Sequence, residues 1–491
     1  MNKKIESIIL LIIMFFTITF YIYYKKELQN NNNFIITSNN NKATSESNGL
    51  ALMIENGYNT HVYEESSNTT WPADTADYKY SMNTTKSGCE NGGALTYSLT
   101  NKTVTMSGTN TDKCYVYFDR VYRLYSEILA DNGGAAAISA KAAPNYNTTA
   151  TTNEGMFATP DDYGTSYFYR GTVTNNFVKF ANMCWRVVRV TGNNATKLIL
   201  YNYNPNNVDN PCDASQDGEF NAFAHNSSGT YTSAFNSTGT DNAYLGFMYG
   251  TVGATTYSAA QANVNKSTIL QFLENWYTTN LNSYSNYLAD VIWCNDKTTT
   301  TGTKTVALVS HTYTNHGYGG GLDNITLYGS VDRFTASDTW GAGGSGPTLV
   351  CPNDNNGGKL SKFTVSDTTY GNGNLDYPIG LMTADELMSA GFIYGLGGNT
   401  SYYLYNNASG TTTYILLLSY SDWWCMTPLN FMTNAGSYYG VEWFSSSNGG
   451  WADTVGVSQT RGVRPMIAID SASYLASGSG TSSDPYTIAT K

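Results

Sequence analysis

From Ile8 to Tyr24 seventeen residues pass without a charge, interrupted in polarity by Thr17 and Thr19, with Lys3 and Lys4 ahead and Lys25 and Lys26 behind. That length just suffices for a spanning helix, which needs about 17 to 25 residues. No small-x-small cleavage site follows, so 1–27 reads as a retained single-pass membrane anchor, with Tyr21, Tyr23 and Tyr24 at the interface. The lysine flanks are nearly balanced and orient the segment weakly. Glu6 offers a pilin-like alternative, but the glycine of a prepilin leader is missing. The tract 28–49, with Asn30 to Asn33 and Asn39 to Asn41, is too polar to bury and reads as a disordered stalk.

Beyond the stalk the hydrophobic period shortens to two. Ala94 to Leu99, Val104 to Ser107 and Tyr115 to Phe118 alternate and are separated by Asn-Lys and Gly-Thr-Asn turns, which predicts a small β-module over 50–119. The period then lengthens. Val121, Leu124, Tyr125, Ile128 and Leu129 lie at helical spacing, so Arg120 to Lys141 is expected to be a helix within a connector spanning 120–160. The remainder, 161–491, reads as one large domain. In it Phe177 to Tyr201 is a hairpin about the Thr191-Gly192-Asn193-Asn194 turn. Ile269, Phe272, Leu273 and Trp276 fall at i, i+3, i+4 and i+7, predicting a helix over Ser267 to Asn280. Thr383 with Glu386 forms a capping box before a second helix that ends at Gly391. The fold class is therefore α+β and β-rich.

Several of these segments carry a resemblance. Val178-Lys179-Phe180 leading into Trp185-Arg186-Val187-Val188-Arg189-Val190, then Tyr377-Pro378-Ile379-Gly380-Leu381-Met382-Thr383-Ala384-Asp385-Glu386, Trp423-Trp424 with Thr427-Pro428, and Arg461-Gly462-Val463-Arg464-Pro465 resemble surface proteins of low-GC bacteria. Those proteins carry a domain similar to the C-type-lectin-like fold of formylglycine-generating enzymes. The run Gly88-Cys89-Glu90-Asn91-Gly92-Gly93 with Asp112 to Phe118 resembles the segment that precedes the domain in them. The resemblance implies a loop-rich mixed β-fold with two flanking helices. It does not extend to the oxidase activity, which needs a cysteine pair near the C-terminal end of the domain, whereas no cysteine follows Cys425.

Composition narrows the function. Only 13% of residues are charged while Tyr and Gly number 40 and 46, which favours strands and turns over charged helical faces. A net charge of −11 without a basic cluster outside the membrane flanks argues against nucleic acid. The four histidines, His61, His225, His311 and His316, have no zinc-site spacing, and Ser310 with His311 and His316 lacks a nucleophile elbow or a third orienting group. Seven cysteines in an exported chain predict three disulfides: Cys89 with Cys114, Cys294 with Cys351, and Cys184 facing Cys425 as a further pairing that sequence cannot fix. Closing the first of these loops is worth about 3 kcal/mol.

Asp422, Trp424, Tyr439, Trp443 and Trp451 bring aromatic faces and a carboxylate together near the C-terminus, the usual means of holding a sugar, although core packing is the ordinary fate of large aromatics. Asn353, Asp354 and Asn356 offer hard oxygens for calcium, but without the glutamate of an EF-hand they read first as a turn, and no other cofactor is indicated. Arg461 and Arg464 read as structural braces. The leading reading is a membrane-anchored, extracellular surface binding protein or adhesin whose lectin-like loops recognise a glycan or a protein. An architectural, pilin-like component and an extracellular enzyme are the alternatives.

Overall fold

The computed structural model describes residues 49–56, 60–68, 70–107, 112–148, 150–216, 231–300, 302–306, 309–314, 316–334, 344–354, 358–392, 401–406, 423–434, 437–445 and 456–490. The anchor expected over 1–27, and all of the stalk expected over 28–49 except Gly49, lie outside them. Among the described residues no helix is long and apolar enough to cross a membrane. The chain divides into two units between Val121 and Tyr122.

In the first unit, β1 (Leu50–Glu55) and β7 (Cys114–Tyr122) run parallel, with β2 (Tyr63–Glu65) on the outer edge of β1. Strands β3 (Tyr78–Met82) and β4 (Gly88–Cys89) flank β7 in the same sheet. β5 (Ala94–Ser98) and β6 (Thr103–Ser107) form a separate hairpin at the positions that the alternation predicted. Leu52, Met82, Val116 and Phe118 make the core on one face of the sheet. The other face carries Ala51, Met53 and Tyr117, as the two-residue period of a strand requires.

The second unit is built on an eight-stranded sheet. β8 (Asn153–Asp161) and β9 (Gly164–Gly171) form a hairpin that joins β11 (Met183–Val190), which lies between β10 (Phe177–Phe180) and β12 (Thr196–Asn202). Met466–Ile469 and Tyr486–Ile488 return to pair with β12 and β10, closing the domain with its own C-terminus. A six-stranded sheet, centred on Trp423–Asn434, carries its partner strand Ser437–Ser445. The helix Thr268–Asn280 is capped by the Ser267 hydroxyl, and Ala384–Ala390 has the reciprocal Thr383–Glu386 capping box with Gly391 at its end. Arg464 braces the C-terminal segment, its Nε and Nη2 donating to the Leu200 carbonyl.

Three expectations change. The helix predicted from Arg120 begins at Leu124, because β7 continues through Tyr122, and a break at Gly133-Gly134 separates Leu124–Asp131 from Ala135–Ser139. The connector is also shorter than 120–160, since 153–161 is β8 of the main sheet. Cys184 bonds Cys212, not Cys425. Both faces of β11 are buried, so Cys184 turns toward Phe177 and Tyr201, where the Cys212 loop packs. Cys425 is a buried thiol, while Cys89–Cys114 and Cys294–Cys351 are the expected bonds.

One helical position works against stability. Glu127 is 1% exposed, its Oε2 has no hydrogen-bond partner among the described residues, and burial, with the nearby Asp131 carboxylate, pushes its carboxyl up to about 8. Between the ordinary carboxyl value and about 8 the folded chain binds a proton that the unfolded chain releases, so this group lowers stability as pH rises through that window. Glu127→Gln is expected to stabilise the fold by about 2–3 kcal/mol at pH 7 and not at pH 4, read from denaturant midpoints.

Candidate functional site

Two places bring chemistry-bearing residues together, one in each unit. In the second unit β8, β11 and β12, with the helices Ser330–Phe334 and Ala384–Ala390, enclose an ionic cluster. Arg189, on β11, donates through Nη1 to Asp161 at 2.8 Å and through Nε to Glu386 at 2.9 Å. Lys197, on β12, reaches the same Glu386 Oε1 at 2.9 Å, and its ammonium lies 4.3 Å from the centre of the Trp293 ring. Glu386 therefore has two roles. Its Oε2 accepts the Thr383 N–H to cap a helix, and its Oε1 holds two cations.

Beside it Arg333 forks onto both oxygens of Asp385, at 2.7 and 2.8 Å, and reaches Asp296 at 2.8 Å. The Asp161 carboxylate also gathers the Tyr163, Gly164 and Gly192 N–H groups. Gly192 is required there because a Cβ would stand 2.4 Å from the Gly164 nitrogen and 2.6 Å from Asp161 Oδ1. Burial opposes ionisation of Glu386, but Lys197 and Arg189 outweigh it and hold the carboxyl down at about 2. Burial likewise pulls the Lys197 ammonium down, to about 8, against the attraction of Glu386. The enclosed space is about 20 Å³, room for one water, and every carboxylate named above is already engaged by a donor. That is the arrangement of an internal brace.

The first unit has an open cleft of about 310 Å³. It is lined by Leu50 and Leu52 of β1, Phe118 of β7, Thr103 and Val104 of β6, and Thr70, Trp71 and Lys102. Trp71 stands edge-on to Phe118 at 4.8 Å between ring centres. Its indole N–H is buried and has no hydrogen-bond partner among the described residues. Lys102 pairs with Asp74 at 3.2 Å, both half-exposed. The cleft combines an apolar lining, an aromatic ring, two hydroxyls and an exposed ion pair, with a volume at the lower end of ligand-pocket size. Trp71 drew no attention in the sequence because an isolated Trp ahead of a proline, outside any periodic run, gives no signal of its surroundings.

Of the aromatic cluster expected near the C-terminus, Trp424 alone has a described side chain. That side chain is fully buried, donates from Nε1 to the Ser233 carbonyl at 2.9 Å and packs against Phe235, so it is core and not a ligand platform. Trp423 is buried as well, with the Arg464 guanidinium over its ring. Tyr439 and Trp443 lie on Ser437–Ser445, described by backbone alone, and Asp422 and Trp451 lie outside the described residues.

At the calcium candidate, Asn353 Oδ1 accepts from the Lys362 ammonium at 2.9 Å and Asp354 Oδ2 from the Ser361 N–H at 2.7 Å. A cation there would have to displace Lys362; Asn356 is outside the described residues. His316 Nδ1 is 3.0 Å from Asn324 Oδ1, and its ring stacks on Tyr318. Cys89, Asp112 and Cys114 cluster, but the sulfurs are bonded to each other and Asp112 accepts the Asn91 and Gly93 N–H groups, closing the turn ahead of β5. No family model, curated protein or solved structure matches the chain.

Proposed function

We propose that the chain is a surface binding protein, anchored in the membrane through 8–24, that recognises a glycan, with the Trp71 cleft of the first unit as a binding site, and that its second unit is C-type-lectin-like. The Trp71 cleft is the observation that carries the reading. A sugar presents an apolar face that stacks on an aromatic ring and hydroxyls that need donors and acceptors, and Trp71 with Thr70, Thr103, Lys102 and Asp74 supplies that combination. Three disulfides among the described residues support an oxidising, extracellular location. The closure of the ionic cluster favours binding over catalysis, because its acids and bases are spent on one another. The bacterial resemblance and the anchor make the surface of a cell the natural setting.

The test is a glycan array probed with detergent-solubilised full-length protein, with calcium and again with chelator. Binding is expected in both conditions and is expected to fall at least tenfold in Trp71→Ala, with circular dichroism unchanged. No binding to any glycan by the folded wild type would reject glycan recognition and leave the architectural role as the better reading.

A further inference from the structure

We propose that the glycine-rich loop 316–324 of the second unit is a second sugar-binding surface, on which the His316 ring and the Asp323 carboxylate accept hydroxyls of a glycan. This rests on the reading of the chain as a glycan binder. Neither residue lines the Trp71 cleft, which belongs to the first unit.

The loop is fixed from beneath. It leads into the strand Thr326–Tyr328, which pairs with the central strand of the six-stranded sheet. Gly317 has φ +65°, and a Cβ there would stand 2.7 Å from the Tyr257 ring. Five successive carbonyls each receive a donor. Gln261 Nε2 donates to Gly317 at 2.9 Å, and Asn242 Nδ2 to Tyr318 at 3.3 Å and Gly319 at 2.9 Å. Asn324 Nδ2 donates to Gly320 at 2.8 Å, and the Asn324 N–H to Gly321 at 3.1 Å. In an ordinary surface loop water satisfies such carbonyls. Here Asn242 and Gln261 are 0% exposed, and Asn242 Oδ1 and Gln261 Oε1 have no hydrogen-bond partner. A buried acceptor left unpaired is destabilising, so these two amides hold the loop in shape at a loss of stability. That marks a surface pre-organised for a ligand, because ordering done on folding is not repeated on binding.

With its backbone oxygens engaged inward, the loop offers its side chains. The Gly320 carbonyl can only accept, so the Asn324 amide places Nδ2 there and Oδ1 toward His316, 3.0 Å from Nδ1. The neutral ring therefore carries its proton on Nδ1 and keeps a lone pair on Nε2, which has no partner among the described residues. One face of the ring lies on Tyr318, 5.2 Å between centres and 8° from parallel, which fixes its plane. Asn324 also ties the second acceptor to the first, since Asp323 precedes it in the chain. Asp323 is exposed and its carboxylate is engaged by no donor among the described residues, while Leu322 beside it is 57% exposed. Two acceptors without donors, a ring and an apolar side chain on one rigid loop complement a sugar, which carries hydroxyl donors around an apolar C–H face.

The experiment extends the glycan array to Trp71→Ala, to Trp71→Ala with His316→Ala, and to Trp71→Ala with Asp323→Ala, all as detergent-solubilised full-length protein, beside an immobilised lysine-rich peptide. Trp71→Ala is expected to keep a residual glycan signal. Adding His316→Ala or Asp323→Ala is expected to lower that signal at least tenfold, with thermal unfolding midpoints unchanged. Asp323 is on the surface, so its variant decides if His316→Ala fails to fold. A residual signal that survives in either folded double variant would overturn the proposal and leave the Trp71 cleft as the sugar site. So would a Trp71→Ala protein that binds no glycan at all. A wild type that binds no glycan removes both sites. Binding of the peptide instead of a glycan, lost in the same variants, would assign the loop to basic peptides and overturn the proposal.

Discussion

Glu386→Gln is expected to cost the protein about 3–5 kcal/mol, enough to remove much or all of the folded population of an ordinary domain. Glutamine preserves the shape and can still cap the Ala384–Ala390 helix, so the loss isolates the charge. What remains is Arg189 and Lys197 in the same enclosed space with no carboxylate at their shared contact. Unfolding curves in urea would show a lower midpoint at an unchanged slope. The pH dependence gives an independent check. Because the folded carboxyl is held at about 2 and the unfolded one titrates near 4.5, the wild type has this contribution in full above 4.5. It is lost as pH falls through about 2, where the folded chain also takes up the proton. The acid limb of the stability profile should therefore be shallower in Glu386→Gln by about 3 kcal/mol. An unchanged midpoint and an unchanged acid limb would show that the cluster braces nothing.

The second large effect belongs to the bond between Cys294 and Cys351. Their separation of 57 residues makes theirs the longest of the three loops, and chain entropy assigns its closure about 4 kcal/mol. The paired substitution Cys294→Ser with Cys351→Ser avoids leaving a lone thiol, and it is expected to lower stability by that amount. Cys351 is also a wall of the ionic cavity, its N–H donating to Asp162, so part of the loss should reach the cluster. Combining it with Glu386→Gln should give less than the sum of the two losses; strict additivity would show that bond and cluster are independent.

What could be read from the chain was local. The Ile269, Leu273, Trp276 periodicity gave its helix to within one residue, and the Thr383–Glu386 box with Gly391 gave the two ends of Ala384–Ala390. These signals depend on neighbours three or four positions away. The ionic cluster was missed because its members come from β8, β11, β12 and two helices, and no spacing joins them. A weaker clue was present: in a chain with 13% charged residues, Arg186 and Arg189 inside an apolar strand already imply buried partners. Trp424 entered the candidate sugar site because an aromatic face beside a carboxylate is the usual means of holding a sugar, whereas it sits in the interior, the ordinary fate of a large aromatic. Cys184 was matched with Cys425 on the similarity of their flanking tryptophans, although the nearer Cys212 was its partner.

The order of the cross-links has a bearing on how the chain is made. Taken along the sequence, the first cysteine joins the second, the third joins the fourth, and the fifth joins the sixth, leaving Cys425 as the last to be synthesised. If the segments beyond the anchor cross the membrane in sequence order, each even-numbered cysteine emerges to find its native partner as the only unpaired one already outside. A simple oxidant acting on the emerging polypeptide then yields the correct set without an isomerase to reshuffle mistakes. The seventh thiol appears when the other six are consumed, and enclosure in the core removes it from exchange.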